Sequence, residues 1–276
     1  MNADANFRMT SSDDLPTDGG AAGPRVAPNQ WRAFGGVWRL TAWQFLSRNH
    51  LLTIAGMTAL LGFFAWRVSA TAPVGGYLKW VGGFFLTIAV PVLGFLSGAG
   101  AMVDQTKASA TDYVFTRPVR RWAFVVFKYL AHLLCAQLTW LPAFGAVVFI
   151  ASVRSADNLA PAYAGVLLAQ VLTLAAFVAL GFLCAVLTKR YLIVGIVYAA
   201  IVEAGVGNIP APLSGLSITR QVRKLLQPVM DGAQASVSMS DAVGTAAMIG
   251  VFCAVFVGVA AALFSLRELS GARGKE

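Results

Sequence analysis

Apolar positions dominate this chain, and they are grouped into long runs broken by short polar stretches. Six runs are read as membrane spans. The first is Leu51–Trp66, and the second runs from about Tyr77 to Val103. The third is roughly Tyr129–Val153, with a possible start as early as Trp122. The fourth is Tyr163–Leu187, the fifth is the short Tyr191–Val206, and the sixth is about Ala242–Leu266. Most approach or exceed the roughly 20 residues that carry a helix across a bilayer core. Trp66, Tyr77, Trp80, Tyr163 and Tyr191 fall where aromatic belts belong. Ahead of the first span, Trp31, Phe34, Trp38, Ala42 and Phe45 recur at spacings of three and four, which is one face of a helix. With Arg32 and Arg39 flanking that stripe, residues 29–48 read as an amphipathic helix in the membrane interface. The plainer alternative is a polar-capped extension of the first span. Residues 1–28 carry Asp4, Asp13, Asp14 and Asp18 among Gly, Pro, Ser and Thr, with no apolar signal-peptide core, and read as a disordered tail.

Composition supports the membrane reading. Of the 276 residues, 58% are hydrophobic and 12% charged, about half the charged share of an ordinary globular domain (roughly 25%). The net charge of +9 does not call for nucleic acid, because the cations are unevenly placed. If the spans alternate, 15 of the 21 Lys and Arg fall on one side. They lie in the N-terminal segment through Arg48, in the stretch from Lys107 to Lys128, at Lys189 and Arg190, and from Arg267 onward. Arg67, Lys79, Arg154, Arg220, Arg223 and Lys224 fall on the other. The richer side is expected to be cytoplasmic. Both ends of the chain, including a short tail at 271–276, are then inside a cell (inner or plasma) membrane.

Candidate chemistry is sparse. No G-x-x-x-x-G-K-[ST], H-E-x-x-H or C-x-x-C occurs. Cys135, Cys184 and Cys253 sit inside apolar runs and read as packing residues. His50 and His132 lie far apart in sequence and read as structural. No catalytic residue, metal site or cofactor is expected. Glu203 is the carboxylate within a span. Such a group either lines a path or gate, or anchors a helix end to local backbone, and both readings stay open. After it, Gly205, Gly207, Pro210 and Pro212 break the helix. Leu216, Val222, Leu225 and Leu226, mixed with Arg220, Arg223 and Lys224, suggest a second surface helix. Residues 205–240 are thus expected to form an outer re-entrant or interfacial element. Gly94 and Gly98 form a G-x-x-x-G continued by Ala101, which serves packing within the chain or between two copies. Pro91 is a candidate kink.

The densest cationic stretch is "FTRPVRRWAFVVFKYL", Phe115–Leu130. Pro118, Arg121 three residues on and Lys128 ten residues on, set between the second and third spans, resemble the permease subunits of ABC-2 type transporters. The interfacial helix, six spans, a fifth span ending in Glu203 and "PAPLSGLSITRQVRKLL" after it resemble that family too. The resemblance covers nearly everything after residue 28. It departs ahead of Pro118, where Lys107, Ser109 and Ala110 replace the family's acidic residue and Gly-Thr pair, with Asp104 and Asp112 nearby.

The resemblance implies an all-α polytopic permease domain over 49–270, working as a homodimer or pseudo-dimer with a separate ATP-binding subunit. Residues 104–121 would be the cytoplasmic coupling segment, offering Asp104, Asp112, Tyr113, Phe115, Arg117, Pro118 and Arg121 to that partner. Arg32, Arg39, Arg120 and Lys128 are assigned to lipid phosphates. For each cation the alternative is a bare orientation signal. A secondary transporter or channel, and a non-transporting membrane scaffold, are the competing classes. Neither the substrate nor its direction is legible.

Overall fold

The computed structural model describes residues 30–71, 74–103, 121–154, 160–205, 215, 217–231 and 237–273. Among them every regular element is a helix. Helix α1 is Gln30–Phe45 and α2 is Arg48–Thr71. Helix α3 is built from Val74–Trp80, a π-helical stretch Val81–Ala89 and a further α-helical stretch Val90–Val103. Helix α4 is Arg121–Arg154 and α5 is Ala160–Leu187. Helix α6 is Tyr191–Tyr198, continued as a π turn over Ala199–Gly205. Helix α7 is Ile218–Met230 and α8 is Met239–Arg273.

Five of these are long and apolar enough to cross a membrane: His50–Thr71, Gly76–Val103, Trp122–Val153, Ala162–Leu187 and Met239–Leu266. The chain is a multi-pass, all-helical membrane protein. The six-span count is met only in part, because the expected fifth span ends at Gly205 and is a short apolar helix. Helical geometry also outlasts hydropathy at several ends. Helix α2 continues past Arg67 to Thr71, α4 starts at Arg121, beside the earlier of the two starts read for the third span, and α8 runs to Arg273, into the segment read as a tail.

Helix α5 is the centre of the bundle. Of its apolar stretch, 67% is buried against other helices, against 11% for α2. The apolar residues left outward on α2, such as Leu52, Leu60 and Phe63, suit a lipid solvent. Since lipid tails are as apolar as leucine, close packing and polar staples hold such a bundle together. Three staples end on backbone carbonyls. The Tyr77 hydroxyl donates to Val147 O at 2.7 Å, Tyr129 to Ala175 O at 3.1 Å, and Gln137 Nε2 to Val171 O at 2.9 Å. They fasten α3 to α4 and α4 to α5.

The G-x-x-x-G of α3 packs inside the chain. A Cβ on Gly94 would meet Leu174 and Phe177, and one on Gly98 would meet the backbone of Val178. Gly181 answers from α5, facing the backbone of Phe95 and Ala99. Pro91 lies two residues past the end of the π stretch. Proline has no N–H to donate and its ring crowds the preceding turn. The wider π turn, with its i→i+5 pattern, accommodates that defect. Within the stretch the Thr87 hydroxyl donates to Gly82 O, five residues back, at 2.7 Å.

Candidate functional site

Glu203 organises the most polar part of the bundle. It lies in the π turn of α6, where residues five apart share a face, so the Tyr198 hydroxyl reaches Glu203 Oε1 at 3.3 Å. The carboxylate also receives the start of α7. Ser217 Oγ donates to Oε2 at 2.6 Å, Ile218 N to Oε1 at 3.1 Å, and Thr219 N to Oε2 at 3.2 Å. The Thr219 hydroxyl donates to Oε2 as well. Ser217 is itself the N-cap, accepting from Arg220 N at 3.2 Å. A negative charge thus sits where a helix leaves its N–H groups unpaired and its dipole is positive. These bonds fit the helix-end reading of Glu203, and the same residue also lines the groove between α3, α5, α6 and α7.

Helix α7 matches the amphipathic surface helix expected from the sequence. Its buried face is Ile218, Thr219, Val222, Leu225, Leu226 and Val229, while Arg223, Lys224 and Gln227 are exposed. Small residues set its seat. Met230 covers Gly82 of α3, Leu226 reaches Gly165 of α5, and Val229 clusters with Leu78 and Ala162. Those partners lie near the bundle end where α3 and α5 begin and where α8 starts. Helix α6 begins at the opposite end, just after α5 finishes. The chain therefore changes ends through two short helices joined at Glu203.

Between α3, α5, α6 and α7 lies a groove of about 870 Å³. Thr87, Tyr198 and Glu203, which belong to or adjoin the two π segments, line it, as do Arg220, Arg223 and Lys224. Arg223 Nε donates to Thr87 Oγ1 at 3.3 Å. A second cavity, about 620 Å³, opens among α1, α2, α3 and α4. There the two histidines meet a common ring. Phe45 lies edge-on to His50 at 4.5 Å and tilted against His132 at 5.0 Å. His132 Nε2 is 2.9 Å from Ser97 Oγ, and its ring also packs on Phe182. The structural reading of both histidines agrees with this packing, and no group of three or more His, Cys, Asp or Glu among the described residues is placed to hold a metal.

Lys128 differs from its assignment to lipid phosphate. Its side chain is 3% exposed, and Nζ donates to Thr41 Oγ1 at 3.1 Å and Gln44 Oε1 at 3.2 Å. The ammonium is turned inward, between α4 and α1, because α1 lies along α4 and covers it. The Phe34–Phe127 edge contact at 5.4 Å belongs to the same seam. Arg39 is exposed. Asp104, Asp112, Tyr113, Phe115, Arg117, Pro118 and Arg120 lie outside the described residues, as do the side chains of Arg32 and Arg121.

No protein-family model matches the chain, and no curated protein matches it in sequence. The functional reading therefore stands on residues and geometry.

Proposed function

We propose that this chain is the membrane-spanning permease subunit of an ABC-2 type exporter, working as a dimer beside a separate ATP-hydrolysing subunit. The observation that carries the reading is the joint at Glu203. A short apolar helix ends in a carboxylate that receives the first turn of a basic amphipathic helix, the order of parts that the family resemblance implies. Helices α6 and α7 together make the fifth crossing, and α8 makes the sixth, which returns the chain to the side where it began. The 15-to-6 division of basic residues favours the cytoplasm for that side. Residues 104–121 would then face the ATPase, whose closure pushes on them, and the packed helices carry the push to a path between protomers. The chain itself performs no catalysis in this scheme.

The same joint speaks against a secondary transporter. Coupling to an ion gradient calls for ionisable groups free to change partners within the spans. Glu203, the carboxylate of the short apolar helix, is committed to α7. The deciding experiment is co-expression with a P-loop ATPase from the neighbouring reading frame. Co-purification with it, and ATP hydrolysis only in its presence, are expected. Hydrolysis by the chain after every ATPase has been removed would overturn the reading. So would reporter fusions at residues 230 and 276 that fall on the same side of the membrane.

A further inference from the structure

The groove beside Glu203 has an amphipathic shape. Ile88, Val92 and Leu96 run along α3 at intervals of four and form one apolar wall, with Ile196 of α6 opposite. All four are exposed, from 40% for Leu96 to 68% for Ile196, so the wall is open to the surrounding bilayer. At one end the lining turns cationic, with Arg220, Arg223 and Lys224 of α7. Glu203 is the sole carboxylate among the described lining residues, and its oxygens are directed to the first turn of α7. Arg223 and Lys224, both exposed, already outnumber that carboxylate and leave the groove net positive.

Depth makes that charge informative. Arg223 bonds to Thr87, eleven residues inside the span that begins at Gly76. At about 1.5 Å per residue this is at most about 16 Å from the helix end. Cations within a bilayer are costly unless an anion or water meets them. From Ile88 to Leu96 the apolar wall continues for about 12 Å, away from the cations. Its volume falls in the range of small-molecule pockets, roughly 300–1,000 Å³.

We propose that this groove binds an anionic phospholipid drawn sideways from the bilayer, with its phosphate on Arg223 and Lys224 and one acyl chain along Ile88, Val92 and Leu96. A phosphate supplies the missing counter-charge, and the chain covers apolar surface already at membrane depth. The inference needs only a multi-pass membrane protein and is independent of any ATPase.

The test uses the full chain in phosphatidylcholine nanodiscs with graded phosphatidylglycerol, and lipid retained after extraction is counted by native mass spectrometry. Saturable retention of phosphatidylglycerol over phosphatidylcholine is expected. Arg223→Gln with Lys224→Gln should lower it about tenfold. Ile196→Trp, which fills the groove and leaves the charge alone, should lower it as well. Lys189→Gln with Arg190→Gln, on exposed cations at the other end, should leave it unchanged, and inorganic phosphate should not displace the lipid. Thermal unfolding checks each variant, and Lys224→Gln alone serves if the double variant does not fold. Equal retention of both lipids, wild-type retention in every groove variant, or equal losses from both cation pairs would overturn the proposal. So would a wild-type dimer that retains no phosphatidylglycerol and that Ile196→Trp splits, because a second copy would then be the occupant.

Discussion

Gly98 of α3 lies directly on the backbone of Val178 in α5. A methyl group at Gly98 would stand 2.5 Å from the Val178 carbonyl oxygen and 2.9 Å from its Cα. Backbone cannot move aside as a side-chain tip can, so Gly98→Ala should cost about 1–3 kcal/mol through forced separation of the helices. Gly100, two residues on, meets nothing within 4 Å. Gly100→Ala should gain up to about 1 kcal/mol from helix propensity alone. Thermal unfolding in detergent separates the two, and equal effects would refute the close crossing.

Glu203→Gln keeps the shape of the side chain but removes the charge and turns an amide group toward the N–H donors of Ile218 and Thr219. A loss of about 2 kcal/mol or more is expected, since hydrogen bonds to charged groups and the helix dipole both weaken. Ser217→Ala, which removes the N-cap, should cost about 1 kcal/mol. Because the two act on one joint, the double variant should cost less than the sum. Strict additivity, measured by thermal unfolding, would count against a shared joint.

Thr41→Val and Gln44→Leu each remove an acceptor from the buried Lys128 ammonium, and each should destabilise by about 1–3 kcal/mol. Lys128→Met removes the charge at similar volume and should be close to neutral. Lys128→Met combined with Thr41→Val should then recover stability relative to Thr41→Val alone. No recovery in this cycle, followed by thermal unfolding, would place the ammonium elsewhere.

Gln170 of α5 is fully buried, and neither amide atom has a hydrogen-bond partner among the described residues. Gln170→Leu should therefore leave stability unchanged or raise it by about 1 kcal/mol. A clear loss on thermal unfolding would reveal a partner for that amide, such as an ordered water.

The coupling proposal is tested at residues on either side of Pro118. Phe115→Ala should weaken capture of the ATPase by about 2 kcal/mol or more, as expected for an aromatic anchor. Arg120→Ala should change it by no more than about 1 kcal/mol, the worth of one cation at an anionic surface. Pull-down at matched membrane levels reads both, and the reverse order would exchange their roles.

Much of the architecture was legible because span length and hydropathy are local properties. The stripe from Trp31 to Phe45 likewise gave away α1, whereas the run after Tyr191, read as a short fifth span, forms a 15-residue helix. Partner choice was not legible. The G-x-x-x-G marks one side of a crossing, but Gly181 on the other helix belongs to no repeated pattern. Lys128 looked lipid-facing because it follows the cations Arg117, Arg120 and Arg121 and stands between Phe127 and Tyr129, whereas Thr41 and Gln44, which receive it, lie more than eighty residues earlier. His50 and His132 share Phe45 only once α1, α2 and α4 have packed. The π segments leave no hydropathy signature, although Pro91 marks the end of one.

The joint at Glu203 also bears on how the protein is made. A 15-residue apolar helix is a weak candidate for insertion by itself. Helix α7, with three cations in its first two turns, is a weaker one. Neither can wait in the lipid as an independent unit. Their seats on α3 and α5 are synthesised earlier, with Gly82 and Gly165 ready to receive Met230 and Leu226. Biogenesis of this bundle is therefore ordered: the first four long helices must assemble into a template before α6 and α7 can settle into the bilayer.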